Sequence, residues 1–238
     1  MITSVNNPKI KDLVRLHQAK YRKSTGKFLI ENEHLIQEAL DTGYLEEVFV
    51  IEGETFEFER QTQITVEVAK KLAQTQSVPQ IIGVASKPQA DDFKGNILFL
   101  EDLQDPGNVG TLLRSALSFG YQTVVLSPKS VDFTNDKVVR SSQGALFHLN
   151  MMEMSLPLFT KKAFQQGYQI LGSVVSSGTS VRSLSVDKHA LLLGNEGQGL
   201  SPQAIQASQI LISIPTVAFE SLNVAIAGSI MMYELNES

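Results

Sequence analysis

The sequence predicts an α/β protein in two parts: a small α/β domain over residues 1–88 and a larger one over 89–238 built on a parallel sheet. Three observations lead there. Short apolar runs alternate with amphipathic stretches along the chain. In the second half those runs are continuous, as in strands covered on both faces of a parallel sheet. Between the two patterns lies a polar stretch, Ser-Lys-Pro-Gln-Ala-Asp-Asp-Phe-Lys-Gly over residues 86–95, which reads as a domain boundary.

The first element is a helix opened by Asn7-Pro8, with Asn as cap and Pro at the first helical position. Ile10, Leu13, Val14 and Leu16 follow at helical spacing, with basic residues between them. Residues 1–27 carry seven basic side chains (Lys9, Lys11, Arg15, Lys20, Arg22, Lys23, Lys27) and one acid, Asp12. The chain has 20 basic and 25 acidic residues in all, which leaves 13 and 24 for the remainder. A basic arm on an acidic body is a candidate phosphate-facing patch, although a solvated helix face reads the same way.

Residues 28–30 read as a strand, 33–40 as a helix, 48–51 as a strand, 66–73 as a helix and 81–85 as a strand. Beyond the boundary, strands are expected at 97–100, 124–126, 170–174, 190–193 and 210–214, and a buried helix at 224–232.

Composition narrows the function. There are no cysteines, which removes disulfides and thiolate chemistry. His17, His34, His148 and His189 are scattered, so no metal site is expected. No apolar run approaches the ~20 residues that span a bilayer. The N-terminus lacks the pattern of a secretory signal. The expectation is a cytoplasmic protein without a membrane partner.

Three loops, each at the end of an expected strand, carry the remaining information, because ligands of open α/β sheets bind at the carboxyl ends of strands. In the first, Asp105-Pro106-Gly107-Asn108 turns into a helix in which Asn108 is placed as the cap and Arg114 borders the apolar stripe. Taken alone, these are equally a plain cap and a rim cation. The second, Leu193-Gly194-Asn195-Glu196-Gly197-Gln198-Gly199-Leu200, has three glycines in six residues around an acid, and Ser201-Pro202 then starts a helix. In the third, Ile214-Pro215 stops a strand and Ser221-Leu222-Asn223-Val224 leads into the last helix, with Ser221 as its expected cap.

Together these loops resemble the three motifs of the SpoU (TrmH-like) group of SPOUT RNA methyltransferases. The matching residues are Asn108-x-Gly110-x-x-x-Arg114, Gly194-Asn195-Glu196-Gly197-x-Gly199-Leu200, and Ile214-Pro215 with Glu220-Ser221-Leu222-Asn223-Val224. Arg140-Ser141-Ser142-Gln143-Gly144-Ala145 is similar to the group's intermediate turn. More loosely, residues 1–86 resemble the ribosomal-protein-like RNA-binding domain that precedes the catalytic domain in some members.

The resemblance implies a deep trefoil knot in the second domain, S-adenosylmethionine bound in a bent form, and a homodimer whose active site draws on both subunits. It implies methyl transfer to a ribose 2′-hydroxyl of structured RNA, which excludes DNA as acceptor. Ribosomal RNA is favoured over transfer RNA. By the same resemblance Asn108, Arg114, Glu196, Ser221 and Asn223 are catalytic, and Leu193, Gly194, Asn195, Gly197, Ile214, Leu222 and Asn223 hold the cofactor. Lys9, Arg15, Lys20, Arg22, Lys23 and Arg140 are expected to meet RNA. Arg114 is expected to clamp a phosphate and stabilise the developing alkoxide, since a guanidinium with a pKa above about 12 is a poor base. Glu196 is expected to fix Arg114 or to accept from the ribose. Many relatives have an extra residue and a glycine between Pro215 and Ser221, so that loop should run differently here, with Phe219 near the entrance. The alternatives are a catalytically silent RNA-binding factor of the same fold and, lower, a nucleotide-dependent oxidoreductase, for which the early glycine fingerprint is missing.

Overall fold

A computed structural model describes residues 1–217 and 221–236. The chain forms two compact units, Met1–Pro88 with Asp132–Phe147, and Gln89–Val131 with His148–Ser238.

The first unit begins with α1 (Pro8–Arg15), where Asn7 Oδ1 accepts the Lys9 N–H at 2.9 Å and Pro8 opens the helix. A second helix, α2 (Ala19–Thr25), ends at Gly26, whose φ of 67° is the left-handed stop that favours glycine. There follow β1 (Lys27–Glu31), α3 (Glu33–Asp41), β2 (Leu45–Ile51), β3 (Gln61–Ile64), α4 (Val66–Leu72) and β4 (Ile81–Ser86). The sheet order is β1-β4-β2-β3, with β4 antiparallel to both neighbours and β3 parallel to β2. Ile10 and Leu13 of α1, Val68 and Leu72 of α4, and Phe49 of β2 share one core.

The second unit opens with β5 (Asn96–Leu100), α5 (Pro106–Ser118) and β6 (Tyr121–Leu126). The chain then returns to the first unit as α6 (Asp136–Ser142) and a 3-10 turn (Ala145–Phe147). There the Phe147 ring lies 6.1 Å from that of Phe28 and 5.9 Å from that of Tyr44. The sequence reading, with a single cut after residue 88, assigned this segment to the other side. Its attachment depends on aromatic partners more than 100 positions upstream, which local composition does not reveal.

Back in the second unit come β7 (Asn150–Glu153), α7 (Leu156–Gln165), β8 (Gln169–Ser173), β9 (Thr179–Ser180), β10 (His189–Leu193), α8 (Pro202–Ala207), β11 (Ile210–Ser213) and α9 (Val224–Asn236). The order β7-β6-β5-β10-β8-β11-β9 is parallel throughout. Phe99, Phe159, Ile170 and Leu192 pack into one core of this unit. Tyr121 and His189, both buried, are hydrogen-bonded at 2.6 Å.

The basic arm needs a correction. Arg22 is 5% exposed, and its guanidinium donates to Asp132 Oδ2, Thr134 Oγ1 and the carbonyls of Leu16 and His17. It is a buried structural cation, which removes it from the set expected to meet RNA. Burial tends to raise the Asp132 carboxyl, but the bonds from Thr134 and the Arg22 charge prevail and hold it below its ordinary value. Among the described residues no helix is long and apolar enough to cross a membrane, and no cluster of side chains is arranged to hold a metal ion.

Candidate active site

Strand β5 lies where the order of the parallel sheet reverses: β6 and β7 stand on one side of it, and β10, β8, β11 and β9 on the other. Crevices at the carboxyl ends of strands at such a switch point are where α/β sheets bind ligands. The loops after β5 and β10 meet here, and the loop after β11 closes on them.

The α5 helix starts one turn earlier than the sequence reading has it. Asp105 is the cap, its Oδ1 accepting the Asn108 N–H at 2.8 Å, and Pro106 is the first helical residue. Asn108 therefore sits inside the first turn with its side chain free of capping. That side chain donates to Glu196 Oε1 (3.3 Å) and accepts from Asn223 Nδ2 (3.0 Å). The cap of α9 also shifts, from the expected Ser221 to Asn223, whose Oδ1 accepts the N–H groups of Ala225 and Ile226.

Glu196 staples two loops. Besides the Asn108 amide, it accepts the backbone N–H of Asp105 (3.0 Å) and of Gln104 (3.3 Å). Partial burial alone would raise its carboxyl. The donors from Asp105, Asn108 and Gln104 outweigh that and hold its pKa below the ordinary value. Asn195 shapes the same turn: its Oδ1 accepts from Gly197 and Gln198, and its Nδ2 donates to the Asp102 carbonyl at 2.8 Å. Gly194 admits no side chain, because a Cβ there would stand 2.1 Å from the carbonyl carbon of Gly199.

A cavity of about 280 Å³ opens between these loops. Gly194, Asn195, Glu196, Gly197, Ile214, Ser221 and Leu222 line it, each singled out by the sequence. Leu193 is fully buried behind it, its carbonyl taken by the Glu101 N–H at 2.8 Å. Sequence reasoning missed Ser173, Val174 and Val175 at the end of β8, and Ala227 and Met231 of α9. The carboxyl-end rule would have found the first three, since their strand was expected.

Arg114 stands apart. It is exposed on α5 and makes no ion pair with the described residues. The expected Glu196–Arg114 contact is not formed, because backbone and amide donors occupy that carboxylate. Phe219 and Glu220 lie outside the described residues.

In the first unit, Lys9 pairs with Glu47 (2.8 Å), Arg15 with Asp12 (2.8 Å) and Arg140 with Asp136 (2.5 Å). Lys20 and Lys23 are exposed and make no ion pair with the described residues.

Residues 95–233 match the SpoU rRNA Methylase family and residues 7–89 the MRM3-like substrate binding domain. The 23S rRNA (guanosine(2553)-2′-O)-methyltransferase RlmP of Bacillus subtilis is 32% identical over 98% of each chain. A crystal structure of an RNA 2′-O ribose methyltransferase superposes with a TM-score of 0.82 at 28% identity, covering 98% of this chain and 96% of the other. An AdoMet-bound rRNA methyltransferase from Sinorhizobium meliloti shares the fold, with a TM-score of 0.87 at 24% identity over 98% and 95% of the two chains.

Proposed function

The chain belongs to the SpoU rRNA methylase family, and from that premise we propose that it transfers the methyl group of S-adenosylmethionine to a ribose 2′-hydroxyl of ribosomal RNA. One observation carries the reading: Asn108, in the first turn of α5, is hydrogen-bonded both to Glu196, which lines the 280 Å³ cavity, and to Asn223, which stands between the cavity-lining Leu222 and Val224.

The cavity fits a sulfonium cofactor. No Lys or Arg is found among its described lining residues, and its one formal charge is the Glu196 carboxylate. Ile214, Leu222, Val224 and Met231 give it an apolar wall, and Gly194 lets backbone approach without a side chain between. When bound, the cofactor supplies an activated methyl whose leaving group needs no acid.

The residues of this chain then have positional work. Backbone at Gly194, Gly197, Ile214 and Leu222 holds the donor, with Asn195 keeping the turn in shape. Asn108 and Asn223 orient the ribose, and Ser221 hydrogen-bonds near the acceptor oxygen. Glu196 fixes the Asn108 amide in place of the Arg114 role expected of it. Arg114 clamps a phosphate beside the acceptor and stabilises the oxygen as it loses its proton. Its lack of an ion pair within the described residues suits an active site completed by a second copy. Exposed Leu117 on α5 and Ile226 and Tyr233 on α9 support a homodimer. The deep trefoil knot implied by the family would lie in the second domain.

The first domain, residues 1–88, serves as the RNA-binding module, with Lys20 and Lys23 as its exposed cations and Lys9 and Arg15 as further ones; Arg140 of α6, a segment of the same compact unit, adds another. The 89–238 domain carries catalysis, and the protein works in the cytoplasm.

The test is to map ribose methylation in cellular RNA with and without the gene, and to incubate the purified protein with labelled cofactor and the unmodified RNA. A new ribose methylation in rRNA is expected. Label in transfer RNA alone would overturn the choice of substrate. Saturable cofactor binding without transfer to any RNA would establish a silent RNA-binding factor instead.

A further inference from the structure

A second cavity, of about 360 Å³, lies beside the first. Asn195, Gln198 and Gly199 line both, so the glycine-rich turn is their common wall. Its other walls come from the loop after β5 (Glu101, Asp102, Gln104), from Lys129 after β6, and from Leu200. We propose that this second cavity receives the base of the acceptor nucleotide and that Asp102 and Lys129 select guanine. The inference rests on the RNA-methylation reading above.

The charges exclude some ligands. Glu101 is 8% exposed, and both of its oxygens are engaged by Ser201, Oε1 by the hydroxyl at 2.6 Å and Oε2 by the N–H at 2.8 Å. Both oxygens are thus held in place, and the charge opposes a phosphate. Asp102 is different. Its Oδ1 accepts the Ser127 hydroxyl at 2.6 Å, while Oδ2 stands 3.8 Å from Lys129 Nζ. That separation is too long for a hydrogen bond, so the oxygen and the ammonium both retain capacity for an outside partner.

A carboxylate oxygen beside an ammonium matches one base best. Guanine presents N1–H and N2–H₂ as adjacent donors, with the O6 acceptor next to them. Asp102 Oδ2 accepts from the donors and Lys129 donates to O6. Adenine and cytosine each place a ring acceptor beside their amine, where it would face the carboxylate. Leu200, 7% exposed, supplies an apolar surface for the ring.

The test uses the full chain saturated with S-adenosylmethionine and free nucleosides as probes, followed by saturation-transfer NMR and calorimetry. Guanosine should bind about tenfold or more tightly than adenosine, cytidine or uridine, with inosine, which lacks the N2 amine, in between. Asp102→Asn should erase the preference and leave cofactor affinity unchanged. Asp102 has a φ of 56°, which Asn tolerates, so the backbone should survive that change. Lys129→Ala is the second variant: its side chain is 82% exposed, so its loss spares folding. Equal binding of all nucleosides, binding of none, or a guanosine preference that survives both variants would overturn the proposal. Failure to bind the cofactor would instead count against the methylation reading itself.

Discussion

Asn223 donates its Nδ2 to Asn108 Oδ1 across 3.0 Å, and 115 positions of sequence separate the two. The same Asn223 caps α9 through its Oδ1. One side chain thus ends a loop, starts a helix and orients a proposed catalytic amide. Two substitutions separate those duties. Asn223→Ala should lower stability by about 1 kcal/mol through the missing cap. Asn223→Asp should retain the cap but place an acceptor against Asn108 Oδ1. Thermal melts should then separate the variants, while methyl transfer falls in both. Full activity in Asn223→Asp would reduce the residue to a cap.

Gly194→Ala should be the most damaging change in the cofactor wall. The added carbon would meet the carbonyl carbon of Gly199 at 2.1 Å and its oxygen at 2.3 Å, and backbone cannot step aside as a side-chain tip can. Calorimetric titration should show cofactor affinity reduced at least about tenfold, since the turn must move by a large fraction of an ångström. Wild-type affinity would show that the turn does not hold the donor.

The basic arm contains two kinds of cation. Arg22→Ala leaves Asp132 buried without its partner and should cost about 3–5 kcal/mol, read as a lower unfolding midpoint. Lys20→Glu with Lys23→Glu should leave folding intact. RNA affinity should fall, and the slope of log affinity against log salt should flatten by about 1 for each phosphate that is no longer neutralised. An unchanged slope would return those lysines to a solvated face.

Burial of His189 gives a pH dependence with a definite sign. Desolvation holds its pKa down to about 4, from an ordinary value of 6.5, with Tyr121 bonded to its ring. The unfolded chain then binds a proton that the folded one refuses between those two values. Stability is therefore fully present above pH 6.5 and declines as pH falls toward 4. In the double variant Tyr121→Phe, His189→Leu that contribution should vanish, so its unfolding free energy should fall less steeply with pH over this interval. Parallel curves for the two proteins would refute the assignment.

Arg114→Lys keeps the charge and loses the bidentate fork. If the guanidinium clamps a phosphate, turnover should drop about a hundredfold, with melting temperature and cofactor affinity unchanged. Near-normal turnover at neutral pH would sink the clamp.

Some of this molecule could be read from short range. The runs at 97–100, 190–193 and 210–214 announce strands because a doubly covered parallel sheet needs apolar side chains on both faces, and Asn7-Pro8 announces a helix because cap and first-turn chemistry is local. The cap at Asp105 was equally available, since Pro106 points to the residue before it. The strands β3, with Gln-Thr-Gln-Ile, and β7, with Asn-Met-Met-Glu, were not legible, being short and partly polar.

By itself, then, the sequence determined where the apolar strands and the more strongly patterned helices would form and which three loops hold the unusual residues, because spacing and turn chemistry act over a few positions. Only the tertiary structure decided what those residues do. Arg22 sits in a run of cations and looks like its neighbours until Asp132, 110 positions away, buries it. Glu196 was expected to fix Arg114 or to accept from the ribose; its oxygens are held by donors of Gln104, Asp105 and Asn108, 88 to 92 positions upstream. Which donor reaches a carboxylate depends on how the sheet brings distant loops together, and local sequence pattern does not encode that proximity.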